Sequence, residues 1–290
     1  MRSPLRERTI LAVGGVVGSL CTLAFLLTEV PALSGQAQTQ TQQAVPGGTA
    51  TYSARTWDGK PNLTGLWQSM STANLNLLDH GPEPSPFFQL GAVGATPMGQ
   101  GVVEGNQIPY QPWAAAKQQE NFINRWSRDP ELRCYMPGLP RAMYMPYSFQ
   151  VVHGNNEILM AFPFASSDRV VYMAKPVKSQ VDTWMGTSNG RWDGDTLVID
   201  ASGFNDLSWF DRAGNFHSEQ LHLVERITPL NNNALNYEVT VEDPKVFTRP
   251  WKIRTVLYRR LEPNLQIQEF KCGPYAEELV YGYMRRYPTP

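Results

Sequence analysis

From Phe149 onward the chain is a succession of short β-branched and aromatic runs cut by Asn, Pro and Gly clusters, and that rhythm constrains the fold more than any other feature. The runs cover 149–153, 157–162, 169–174, 190–200, 221–228, 234–242, 251–258 and 265–272. Gly154-Asn155-Asn156 supplies a turn between the first two. Asp193-Gly194 divides 190–200 into a hairpin whose flanks are strand formers. With an earlier run at 62–69, the pattern predicts about nine or ten strands at short spacing, which favours an all-β fold, a closed or nearly closed antiparallel barrel, over a parallel α/β sheet.

Two stretches interrupt this reading. In 111–126 the period lengthens: Pro112 suits a first helical turn, and Ala115, Phe122 and Trp126 fall on one helical face. A second helix is expected over 274–286, opened by Pro274, with Ala276, Leu279, Val280 and Tyr283 on its buried side. Between the first helix and the strands, 129–147 carries Pro130, Pro137, Pro140 and Pro146 among aromatic and Met side chains. Such a segment is irregular yet needs a surface to lie against, so it is expected to line or roof the core. The Gly- and Pro-rich stretch 79–105 is expected to cross the surface or cover an opening.

The N-terminus has the layout of an export signal. Arg2, Arg6 and Arg8 precede 9–27, a run without charge. Residues 1–37 read as a signal peptide cleaved after Ala37, or as a retained anchor, because the apolar run just reaches bilayer length. Residues 38–56 read as a disordered linker, leaving 57–290 as a single barrel domain. Removing 1–37 takes three of the 25 basic and two of the 26 acidic residues, so the remainder holds 22 against 24. A slightly acidic chain lacks the basic footprint that nucleic acid requires. A membrane partner is expected only if the N-terminal segment is retained. Cys134 and Cys272 are the two cysteines left after export, and an oxidising compartment, periplasmic or extracellular, favours a disulfide between them.

The informative polar residues crowd into 205–226. In a strand over 221–228, His222, Val224 and Arg226 share one face while Leu221, Leu223, Glu225 and Ile227 share the other. Leu221, Leu223 and Ile227 make the second face the more apolar, so either His222 and Arg226 face solvent or they line a polar cavity inside a barrel, which is wide enough for one small ligand. His217 with Asp211, or His222 with Glu225, would supply the imidazole and carboxylate of general acid–base catalysis, since the carboxylate fixes tautomer and raises basicity. The expected chemistry is then cofactor-free isomerisation, hydration or elimination. The opposing reading is that these groups satisfy loop backbone and cap strand ends. His217, His222 and Glu225 also have the donor types for a divalent metal, in a hydrolase or oxygenase, although their spacing matches no helical His pair. No serine sits in a nucleophile-elbow context. Arg191, Trp192, Asp193 and Asp195 read as charge around the hairpin turn. Tyr144, Trp184, Met185, Phe204, Trp209 and Arg226 are expected to line a pocket for a small, largely apolar or aromatic molecule. A non-catalytic envelope protein would use the same pocket to carry or sense its ligand.

Gly65-Leu66-Trp67 on the first strand resembles the Gly-x-Trp signature of lipocalin-like (calycin) barrels, which implies an antiparallel lipocalin-like barrel followed by a terminal helix. More of the chain, about 62–286, resembles a family of uncharacterised exported bacterial proteins. The blocks IPYQPWA (108–114), DPELRCYMPGLPRAMYMPY (129–147), WMGTSNGRWDGDTLVID (184–200), GFNDLSWFDRAGNFHSEQLHLVER (203–226) and EDPKVFTRPW (242–251) carry that resemblance. It implies export and a single domain, and no catalytic role.

Overall fold

The alternation read from the sequence becomes a sheet closed on itself. The computed structural model describes residues 52–84, 95–270 and 272. Nine strands follow one another around a closed barrel. They are β1 (Gly65–Ser69), β2 (Phe149–His153), β3 (Glu157–Ala161), β4 (Arg169–Tyr172), β5 (Thr187–Asp193), β6 (Thr196–Ser202), β7 (His222–Asn231), β8 (Ala234–Glu242) and β9 (Trp251–Arg259). β1 pairs with both β2 and β9, so no strand edge is left open.

Eight of these pairings are antiparallel, but β4 and β5 run parallel through Val171↔Ser188 and Tyr172↔Asn189. The expectation of a wholly antiparallel barrel is corrected at this point. Residues 173–186 carry the chain back before β5 begins, because no tight turn follows Tyr172, and a parallel neighbour needs such a connection. The segment 265–272, expected as a strand, has none among its described residues, only a single bridge from Phe164 to Phe270. The β5–β6 hairpin turns through Gly194-Asp195, with Gly194 at φ +59°, where a side chain would be strained.

Period two decides which residues face inward. Trp67, Phe149, Val151, Ile158, Met160, Val171, Leu197, Ile199, Leu223, Ile227, Leu235, Val239, Ile253 and Leu257 are all buried there. The first expected helix is present as α1 (Pro112–Ile123) and, past a break at Asn124, α2 (Arg125–Arg128). Its buried face is Ala114 and Asn121, whereas Ala115 is exposed. Asn121 is tolerated in the interior because its amide donates to the Gly214 carbonyl. The second expected helix, 274–286, and the export segment 1–37 lie outside the described residues.

The proline-rich segment does roof the core. Its short helix α3 (Arg141–Tyr144) is buried throughout, and Met143 packs among inward residues of β1, β2, β3, β7, β8 and β9. Arg141 is held under that roof by Asp129 and Glu131 at 2.5–2.9 Å and by Asn74 Oδ1 at 2.7 Å. Burial disfavours the Arg141 charge, but the two carboxylates raise its pKa and keep it protonated. Cys134 and Cys272 form a disulfide across 138 positions of sequence, which fits a non-cytosolic protein. Among the described residues no helix is long and apolar enough to cross a membrane.

Candidate functional site

Glu225 is the one expected catalytic residue that faces the barrel interior. It accepts from both Nη atoms of Arg169 on β4, at 3.0 Å on the Nη1 side, and from the Tyr237 hydroxyl at 2.7 Å. Arg169 Nε donates to Ser188 Oγ at 2.9 Å. All four groups are buried, and each finds its partner within the cluster, as buried charges must. Around them lies a buried aromatic cluster, and the free space beside Trp67, Met143 and Ile227 is about 10 Å³. That is about the room of a single water. A barrel with such a cluster is a plausible host for a small apolar ligand, yet α3 and the inward side chains already fill this one.

His222 lies on the opposite face of β7 from Glu225, outside the barrel wall. Its Nδ1 pairs with Glu242 at 3.1 Å and its Nε2 with Asp200 at 3.0 Å, bridging β8 and β6 across β7. Burial pulls its pKa down, but the hydrogen bonds to Glu242 and Asp200 outweigh it and raise the net value. Arg226 shares that outer face and pairs with Asp193 at 2.9 Å. His222 and Glu225 therefore do not form an acid–base pair.

His217 and Asp211 are both buried in the loop between β6 and β7, and they too have separate partners. The Asp211 carboxylate accepts from Leu77 N at 2.8 Å, Asn215 N at 3.1 Å and Asn215 Nδ2 at 2.5 Å. Burial still pushes its pKa up to about 6 against those donors. His217 Nδ1 lies 2.9 Å from the Ser218 carbonyl, which fixes the proton there and leaves Nε2 to accept from Ser208 Oγ at 2.8 Å. Burial lowers the His217 pKa, so the imidazole is neutral at pH 7. Asp243 completes the chain by accepting from Ser218 N at 2.6 Å and Ser218 Oγ at 2.9 Å. The sequence reading missed Ser208, and no motif marks it. Among the described residues no three His, Cys, Asp or Glu groups are placed to hold a metal ion, so His217, His222 and Glu225 are not gathered as ligands.

The expected ligand-lining residues do gather in part. Phe204 and Phe210 flank His217 at 6.3 and 5.2 Å, and the Tyr144 hydroxyl donates to the Phe210 carbonyl. Trp184 stacks on Tyr135 at 5.3 Å, while Met185 is buried and Trp209 half-buried. Gly138 approaches Ser208 and the Trp184 carbonyl at φ +69°, where a Cβ would collide with Ser208.

Open space lies elsewhere. A cleft of about 530 Å³ is lined by residues 55–62 through Arg55, Trp57 and Asn62, by His153 at the end of β2 and Asn155 in the turn after it, and by Arg191 and Trp192 of β5. Trp57, one of the lining residues, is 84% exposed, so its indole is open to a ligand. Across from it His153 stacks on Trp192 at 5.9 Å. Arg191 and Trp192, which the sequence reads with Asp193 and Asp195 as charge around the hairpin turn, thus form one wall of the cleft.

No protein-family model and no curated protein matches the chain.

Proposed function

We propose that this chain is an exported ligand-binding barrel that holds a small molecule with a flat hydrophobic face in the open cleft, and not inside the barrel. The observation that carries this reading is the exposed Trp57 facing the His153–Trp192 stack across a space of drug-like volume. Indole faces bind flat apolar or aromatic surfaces well because they bury much area with few rotatable bonds. The disulfide supports the exported setting. The packed interior and the fully satisfied Arg169–Glu225 pair support a scaffold role for the barrel itself.

The test is binding of a fluorescent aromatic probe, anilinonaphthalene sulfonate, to the disulfide-bonded chain. Trp57→Ala and Trp192→Ala are expected each to weaken binding while leaving far-UV circular dichroism unchanged. Equal affinity in both variants and the parent would overturn the assignment.

A second reading, catalysis, is favoured by one observation: Ser208 and His217 have the hydrogen bond of a nucleophile and its base, with the tautomer fixed by Ser218. A fluorophosphonate that labels Ser208 in the parent, and not in His217→Gln, would support it. An unlabelled parent would reduce the pair to a satisfied buried contact.

A further inference from the structure

We infer that the cleft selects a saccharide bearing a carboxylate, a hexuronate unit being the simplest case; this rests on the cleft being the ligand site. The argument starts from what a purely apolar guest would leave unsatisfied. Thr56, Asp58, Asn62 and Asn155 stand on the cleft wall beside the two indoles. A hydrocarbon lying over them would strip water from amide, hydroxyl and carboxylate groups and return nothing, at a cost for each group so desolvated. A pyranose answers both demands, since its C–H face lies flat on an indole while its equatorial hydroxyls reach the polar groups at the rim.

His153 adds a directional element. Its ring stacks on Trp192, and its Nδ1 is enclosed without a hydrogen-bond partner among the described residues. Burial lowers its pKa, with the Asp58 charge opposing, so the imidazole is neutral at pH 7 and presents one donor and one acceptor. With Nδ1 enclosed, Nε2 is the atom a ligand can reach, and a hydroxyl, itself donor and acceptor, complements it in either tautomer.

The carboxylate follows from the cations. Arg55 is spent, since both its Nη atoms bind Asp195 at 2.7 and 2.8 Å. Asp58 Oδ1 is likewise occupied by Thr56 Oγ1 and by Lys60 N at 3.4 Å, which leaves Oδ2 to water or a ligand hydroxyl. Arg191 lines the same cleft, and no hydrogen bond or ion pair holds it among the described residues. A planar guanidinium with a free edge is matched by a carboxylate accepting two parallel N–H bonds. Arg191 and Trp192 are consecutive on β5, so their side chains leave opposite faces of the strand, and both line the cleft, which lets the acid and the stacked ring face be read by separate groups of one site.

The experiment is calorimetric titration of the disulfide-bonded chain with trigalacturonate, with its methyl ester, which keeps the ring and removes the charge, and with 1-naphthoate. Trigalacturonate is expected to bind at least about tenfold more tightly than the ester, and Arg191→Met is expected to erase that difference. Trp57→Ala is expected to weaken both sugars. Equal affinity for acid and ester, or an unaltered ratio in Arg191→Met, would overturn the carboxylate. Binding of 1-naphthoate alone, lost in Trp57→Ala, would overturn the saccharide and leave the cleft as the ligand site. No binding of any of the three that depends on Trp57 would overturn both.

Discussion

Replacing Glu225 by Gln tests whether the polar cluster in the barrel is scaffold. The change keeps shape and leaves the Arg169 guanidinium, 1% exposed, without its counter-charge. One amide oxygen must then replace two carboxylate oxygens that together serve Arg169 Nη1, Arg169 Nη2 and the Tyr237 hydroxyl. Breaking a buried pair from one side costs roughly 3–5 kcal/mol, mostly for the stranded charge, so about 3 kcal/mol is expected for Gln, which retains one acceptor. Arg169→Met strands the carboxylate instead and should cost about as much. The double variant Arg169→Met, Glu225→Leu strands no charge; it leaves the Ser188 and Tyr237 hydroxyls unpaired, at about 1 kcal/mol each. It should therefore lose only about 2 kcal/mol, far less than the two single changes together. Urea unfolding followed by far-UV circular dichroism measures all three, provided the slopes agree. A Glu225→Gln loss below about 1 kcal/mol, or a double variant as damaged as the sum of its parts, would refute the reasoning.

Three further outcomes are expected. The folded pKa of His222 lies above its usual 6.5, so its bridge stabilises fully below about 6.5 and fades as pH rises through the higher folded value. His222→Gln should thus cost more at pH 5 than at pH 9 in urea titrations, by less than about 1 kcal/mol because the site is a third exposed and screened. The Asp211 carboxyl should titrate near 6 in carbon-detected NMR; being raised from 3.8, its contribution to stability is complete below that value and lost as pH rises through about 6. A midpoint near 3.8 would mean water reaches it. Replacing Cys134 and Cys272 by Ser frees a loop of 138 residues, and the chain-entropy account gives about 5 kcal/mol as the loss in unfolding free energy. An unchanged urea midpoint would contradict the structural role of the bridge.

Much of the barrel was legible because alternation is a local signal. The bounds of β2 and β8 coincide with the expected runs, and the β5–β6 turn follows from Asp193-Gly194-Asp195. The disulfide needed only compartment and count. What the sequence left open was which face of β7 turns inward, since an inward Glu225 is stable only with Arg169, 56 residues earlier, beside it. The parallel β4–β5 pair was hidden for a similar reason: its register depends on a connection, 173–186, without a turn signature. Segment 265–272 has apolar residues but no ladder among its described residues, because β1 already pairs with β9 and closes the sheet. The cleft was the least legible feature, being assembled from three segments that are far apart in sequence and individually look like turn and tether.

The measurement closest to the central claim is an indole ¹H–¹⁵N spectrum of the disulfide-bonded chain, recorded as ligand is added. The chain has eight Trp residues, and two report on the competing places: Trp57 is in the cleft, while Trp67 is buried in the barrel with its indole N–H bonded to the Leu63 carbonyl at 2.9 Å. Shifts at Trp57 and Trp192 with Trp67 unmoved are the expected result. A shifting Trp67 beside a silent Trp57 would put the ligand inside the barrel and contradict the account.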